Sequence, residues 1–182
     1  MHMSHPNGTA ELESVLRVLH DDRLKRLARY WFDKRGARLV TRRDDIDPLE
    51  MPWILPFVWL YDYESDTGRF RCRLAGEEVR VMYRMNIVGR YLDEFILAKS
   101  WPRIDAHYRG VVETPAIGHA IGQVYLTSLD RSGIGERVVM PLSDSSGETV
   151  TMLLGATAYR DVRGLNPQEH IDRALFPLSP AS

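Results

Sequence analysis

Arg69, Arg71 and Arg73 stand on every second residue of the stretch RFRCRLA, with Phe70, Cys72 and Leu74 between them. Alternate residues of a strand share a face, so guanidinium groups at this spacing either grip an anion together or face water together. Cys72 is the sole cysteine, which excludes a disulfide framework and a cysteine-rich zinc site. On a strand it reads as a small buried apolar residue. Asp105 and His107, in WPRIDAHYRGVVE, are the titratable residues best placed for acid–base chemistry. His119 is a weaker candidate, His20 and His170 read as surface helix residues, and His2 and His5 sit in a polar end with no chemistry to offer. The chain holds no Gly-rich phosphate loop, no HExxH, no GxSxG and no paired metal-ligand spacing. Catalysis is therefore not the first expectation, and binding is.

The whole chain narrows the choice of partner. Its 182 residues suffice for one domain with a proper core, and 24 Lys and Arg against 25 Asp and Glu give a formal net charge of -1. A balance of this kind offers no field for nucleic acid or an anionic membrane. No stretch is long and apolar enough for a membrane span, so a soluble cytoplasmic protein is expected.

The elements that must position these residues follow from periodicity. Residues 1–9 read as disordered, and 10–36 as one long amphipathic helix with Thr9 as N-cap and Lys34, Arg35 and Gly36 at its end. Leu12, Val15, Leu16 and Leu19 form its first apolar stripe, which must bury itself against a sheet or against a second copy of the helix. PFVWLYDY, residues 56–63, reads as a strand covered on both faces, DTG as a turn, and the arginine stretch as its hairpin partner. Short helices follow in EEVRVMYRM, in NIVGRYLDEFI and in WPRIDAHYRGVVE, the last with Trp101, Ile104, Tyr108, Val111 and Val112 inward. AIGQVYLTSL, ERVVMPLSD and ETVTMLLGATAYRD read as three more strands. Asn166, Pro167 and Glu169 spell a helix start, so a short helix to about Leu175 is expected to close the chain. Two strands, a helical middle and three strands predict an α+β fold: a five-stranded antiparallel sheet with helices on one face.

This order resembles a PAS domain. The stretches YWFDKRGARL, DIDPLEMPWILPFVWLYD, GRFRCRLAGEEV and IVGRYLDEF resemble, in order, the small stand-alone bacterial PAS-like proteins. The resemblance covers residues 30–95 in wording and 116–161 in strand order only. It implies a PAS-like domain over 37–163, with a short helix and tail over 164–182. It also implies a sensory or regulatory binding module whose sheet packs on the short helices around a central cavity. Phe70, Cys72 and Leu74 are then expected inward and the arginines outward, paired with acidic residues of the first helix.

Cavity candidates are Phe70, Cys72, Leu74, Met82, Trp101, Ile104, His107, Tyr108, Met140, Met152 and Leu154. They predict a small apolar or aromatic ligand, or a core filled by side chains. Two cofactors enter through the resemblance. Reactive-cysteine flavin chemistry is disfavoured because NIVGRYLDEFI has no cysteine; haem held through His107 is a minor alternative, and the cofactor stays open. A homodimer through Leu12, Val15, Leu16 and Leu19, and an unidentified signalling protein as partner, complete the expectation. The runner-up is a small-molecule enzyme, an acyl hydrolase or isomerase, using Asp105 or His107.

Overall fold

In the computed structural model the N-terminal apolar stripe is carried by two helices, α1 (Pro6–Val18) and α2 (Asp22–Arg35), in place of one over 10–36. The structure describes residues 6–126, 131–147, 149–160 and 172–180. Residues 6–9 belong to α1, so Thr9 lies inside the helix and not at its start. The break has a physical cause. Asp21 caps α2 by accepting the backbone N–H of Arg23, and the N–H groups of His20 and Asp21 leave the helical ladder for the carboxylate of Glu136. Gly36, at φ 59, then ends α2 with its N–H on the Phe32 carbonyl.

A connector with a two-residue strand, β1 (Thr41–Arg42), and three 3-10 turns leads to the hairpin β2 (Val58–Glu64) and β3 (Arg69–Ala75). Three helices follow: α3 (Glu77–Tyr83), α4 (Leu92–Phe95) and α5 (Trp101–Glu113). The long strands β4 (Ala116–Leu126), β5 (Arg131–Ser143) and β6 (Val150–Arg160) come next, and β7 (Asp172–Pro177) closes the described chain. The sheet runs β3-β2-β6-β5-β4-β7, antiparallel along that path, with β1 parallel to the end of β5. It has seven strands rather than the expected five.

The terminal helix expected to reach Leu175 is corrected by β7. Its capping residues Asn166, Pro167 and Glu169 lie outside the described residues, but Asp172–Pro177 is a strand along β4 from Ala116 to Ile121. The unpaired edge of β4 supplies a row of backbone partners that a capping signal upstream does not outweigh.

Both faces of the sheet are covered. The outer face carries Val58, Leu60, Val138, Met140, Leu142, Leu154 and Ala156, buried beneath Val15, Leu19, Leu24, Leu27 and Trp31 of α1, α2 and their junction. Trp31 donates its indole N–H to the Pro141 carbonyl at 3.1 Å, tying α2 to β5. Arg35, 2% exposed, pairs with Glu11 of α1 and donates to the Ser179 carbonyl at 2.6 Å. One buried guanidinium thus joins α1, α2 and the C-terminal tail. The inner face carries Trp59, Tyr61, Phe70, Cys72, Val139 and Leu153 against Val79, Ile87, Leu92, Ile104, Tyr108 and Val111.

Half of the predicted dimer stripe is buried inside the subunit. Val15 and Leu19 are 0% and 3% exposed in the outer core, and Leu12 and Leu16 pack half-buried against it. Val15 and Leu19 are therefore core residues, because the sheet's outer face is the apolar surface they were bound to meet, while Leu12 and Leu16 keep part of their surface free.

Candidate ligand site on the inner sheet face

The inner face of β2 presents Trp59 and Tyr61, which stack at 4.5 Å between ring centroids, with Tyr108 of α5 5.5 Å from Trp59 and 6.2 Å from Tyr61. Phe70 meets Tyr108 edge-on at 5.8 Å. Gly155 on β6 makes this wall possible: a Cβ there would lie 2.1 Å from the Trp59 ring. The ring therefore lies across the sheet and donates its N–H to the Thr157 hydroxyl at 3.1 Å.

Beside this aromatic wall the strand register lines up polar groups. Thr157, Arg137, Ala120 and Arg173 stand opposite one another across β6, β5, β4 and β7, all toward α5. The adjacent rows hold Gly118 opposite Val139, and Gly122 opposite Gly135, which in turn faces Tyr159. Glycine and alanine thus floor the face around Arg137. Burial works against the charge of Arg137, and the groups that favour it are the phenols of Tyr108, Tyr83, Tyr159 and Tyr61. Burial in turn pushes those phenols up, Tyr159 to about 12, so near neutrality they supply dipoles and no counter-charge. Arg173 is pushed down by burial and then by Arg137 and Arg103. His107 is lowered to about 4 by burial, then by Arg173 and Arg137, and is a neutral imidazole near pH 7.

Among the buried side-chain atoms without a hydrogen-bond partner are Arg137 Nε, Tyr159 OH and His107 Nε2. No ion pair of Arg103, Arg137 or Arg173 occurs among the described residues. Buried donors of this kind, gathered on one face, are the chemistry of an anion receptor.

The expected cavity residues divide between two faces. Phe70, Cys72, Ile104 and Tyr108 belong to the inner core, Trp101 packs at its margin, and His107 is 8% exposed on α5. Met82 is buried on α3 but outside that inner core. Met140, Met152 and Leu154 are corrected: all lie on the outer side under the N-terminal helices, and Leu153, Gly155, Thr157 and Tyr159 take the inner positions. Both faces of β6 are apolar because both are covered, so alternation alone did not say which set faces α5. Leu74 is also corrected, at 41% exposed. A bulge between Leu60 and Tyr61 sets Tyr61 opposite Cys72 but Leu60 opposite Leu74, which turns Leu74 to the other side.

The arginine row does face outward, with partners other than those expected. Arg71 pairs with Glu64, Arg73 with Asp62, and Arg69 with Asp93 and Glu94 of α4; among the described residues none pairs with the first helix. Cys72 is 1% exposed and its thiol is pushed up to about 12 by burial, so it is no nucleophile. His107 Nε2 lies 2.8 Å from where a Cβ of Gly118 would stand. Facing the sheet backbone, it has no room in that direction for a haem plane. Asp105 pairs with Arg109 at 2.8 Å and, two residues from His107 on a helix, points elsewhere.

Sequence reasoning missed Arg137, Tyr159 and Glu136, although charged residues opening the apolar stretch ERVVMPL were a signal. Glu136 points to the outer face, 4% exposed. It accepts the N–H groups of His20 at 2.8 Å and Asp21 at 2.7 Å, with His119 Nε2 at 3.0 Å and His20 Nδ1 at 3.2 Å from its Oε1. Burial opposes its charge, but the bonds to His119, Asp21 and His20 prevail and hold its pKa down to about 2.

A family model described as PAS domain matches residues 19–158, from the α1–α2 junction through most of β6. No curated protein matches the chain. Among the described residues, no helix is long and apolar enough to cross a membrane.

Proposed function

Since the chain belongs to the PAS domain family, whose members are in general sensory and regulatory binding modules, we propose that it senses a small molecule on its inner sheet face and reports through its N-terminal helices. The observation that carries this reading is one dipeptide. Glu136 and Arg137 are neighbours on β5 and point to opposite faces: Arg137 into the tyrosine-lined site, Glu136 onto the start of α2. A shift of β5 that improves contacts at Arg137 must move the carboxylate that holds His20 and Asp21. Ligand binding then changes the population of helix packings by its differential affinity for them.

Output passes to another molecule through these helices. Leu12 and Leu16, half-buried on α1, are the apolar groups there that a second copy of the chain or a signalling protein would cover. Sedimentation of Leu16→Glu beside wild type tests the homodimer: a wild-type dimer that the substitution splits supports it, and equal masses refute it.

Hydrogen exchange tests the coupling. The Arg137 side chain lies on the sheet face opposite α1 and α2, and on the proposed coupling Arg137→Gln is expected to change exchange at the amides of His20 and Asp21 by about threefold or more. Unchanged exchange at that junction, with the fold intact, would overturn the coupling. Native mass spectrometry of freshly purified protein against the denatured chain mass is the companion measurement, and extra mass per subunit identifies a retained ligand.

A further inference from the structure

We propose that the inner site takes a monocarboxylate with an apolar or aromatic body, its carboxylate held by Arg137 and Arg173. This rests on the reading of the inner face as the ligand site and adds the charge class. It stands on the register first. Arg137 and Arg173 flank Ala120 across β5, β4 and β7, two strand spacings or about 10 Å apart at the backbone. Two long side chains at that separation converge above a residue that has only a methyl group, with Gly122 on one side of it along β4 and Gly118, covered by His107 and Val111, on the other.

The second observation is unmade bonding. Arg137 Nε and Tyr159 OH are buried without partners. Each such group is destabilising while it stays unpaired. Arg137 and Arg173 repel each other, and no carboxylate pairs with either among the described residues. Asp105 of α5 is already engaged by Arg109. A carboxylate entering from outside accepts from a guanidinium edge in bidentate fashion and from a phenol at once. The neighbouring side chains are the buried rings of Trp59, Tyr61 and Tyr108, so the rest of the ligand meets hydrocarbon and few donors. A small hydrophilic oxyanion leaves that wall unused, which favours a carboxylate carried on a hydrocarbon. Arg173 lies beyond residue 158, outside the matched family span.

The test uses the full chain and titration calorimetry with benzoate and hexanoate, each beside its neutral amide, and with inorganic phosphate. Saturable binding of at least one carboxylate is expected, with its amide and phosphate about tenfold weaker or more. Arg137→Gln is expected to weaken that carboxylate by about tenfold or more, Arg137→Lys by less. Circular dichroism confirms that each variant is folded; should Arg137→Gln fail to fold, Arg173→Gln carries the same expectation. Amides that bind as well as the acids, phosphate that binds as tightly, or no binding of either carboxylate at millimolar concentration overturns the charge class. None of those results touches the exchange response of His20 and Asp21 to Arg137→Gln, whose loss is what overturns the coupling reading.

Discussion

Glu136→Gln isolates the contact that joins the sheet to the N-terminal helices. Both carboxylate oxygens accept backbone N–H groups, from His20 and from Asp21, so the amide of glutamine must turn its NH2 toward one of two donors. The magnitude follows from the carboxyl itself: a fall from 4.5 to about 2 corresponds to about 3 kcal/mol, at about 1.4 kcal/mol per decade. For a chain of this size that is a loss of about 6–12 °C in Tm near pH 7. The sign against pH is fixed. A carboxyl depressed by folding stabilises fully above its unfolded value of 4.5, and the contribution drains away as pH falls toward about 2. The wild-type advantage over Glu136→Gln in urea is therefore expected to narrow steadily as pH falls below 4.5. A Tm loss under about 2 °C, or a gap that does not narrow in acid, would refute the reasoning.

Cys72 is expected to resist a disulfide reagent in the native protein at pH 8 and to react at once in guanidinium, since the thiol is 1% exposed and held at about 12. Fast native labelling would show that β3 does not face the inner core. Leu19→Glu and Leu74→Glu form a pair that reads the two sides of the sheet. The first buries an unpaired charge at a site 3% exposed and is expected to cost about 3 kcal/mol or more, while the second, at 41% exposure, stays within about 0.5 kcal/mol. Equal urea midpoints for the two would contradict both the subunit-internal packing of the first helix and the bulge that turns Leu74 away.

Local periodicity was enough to give the order of elements from β2 to β6, because alternation, turns at Gly68 and Gly89, and the stripe of α5 are each set within a few residues. It also gave the outward arginines of β3 and the buried Cys72. The site was less legible. Met140, Met152 and Leu154 were assigned to the inner face because apolar alternation has no sign when helices cover both sides of a sheet. Leu74 went astray through one bulge, which reverses every later side chain of β3 relative to its partner.

Helix stripes, strand alternation and turn residues are written locally and sufficed for an α+β domain, and the wording of residues 30–95 carried the resemblance to the PAS family. Only the tertiary structure decided the rest. It broke the N-terminal helix at His20 and Asp21, because Glu136, more than a hundred residues away, offers their amides a better acceptor. It made a strand of Asp172–Pro177 because β4 left an edge to be paired. That pairing brought Arg173 into line with Arg137, and no local pattern could foresee a receptor whose halves meet only across the completed sheet.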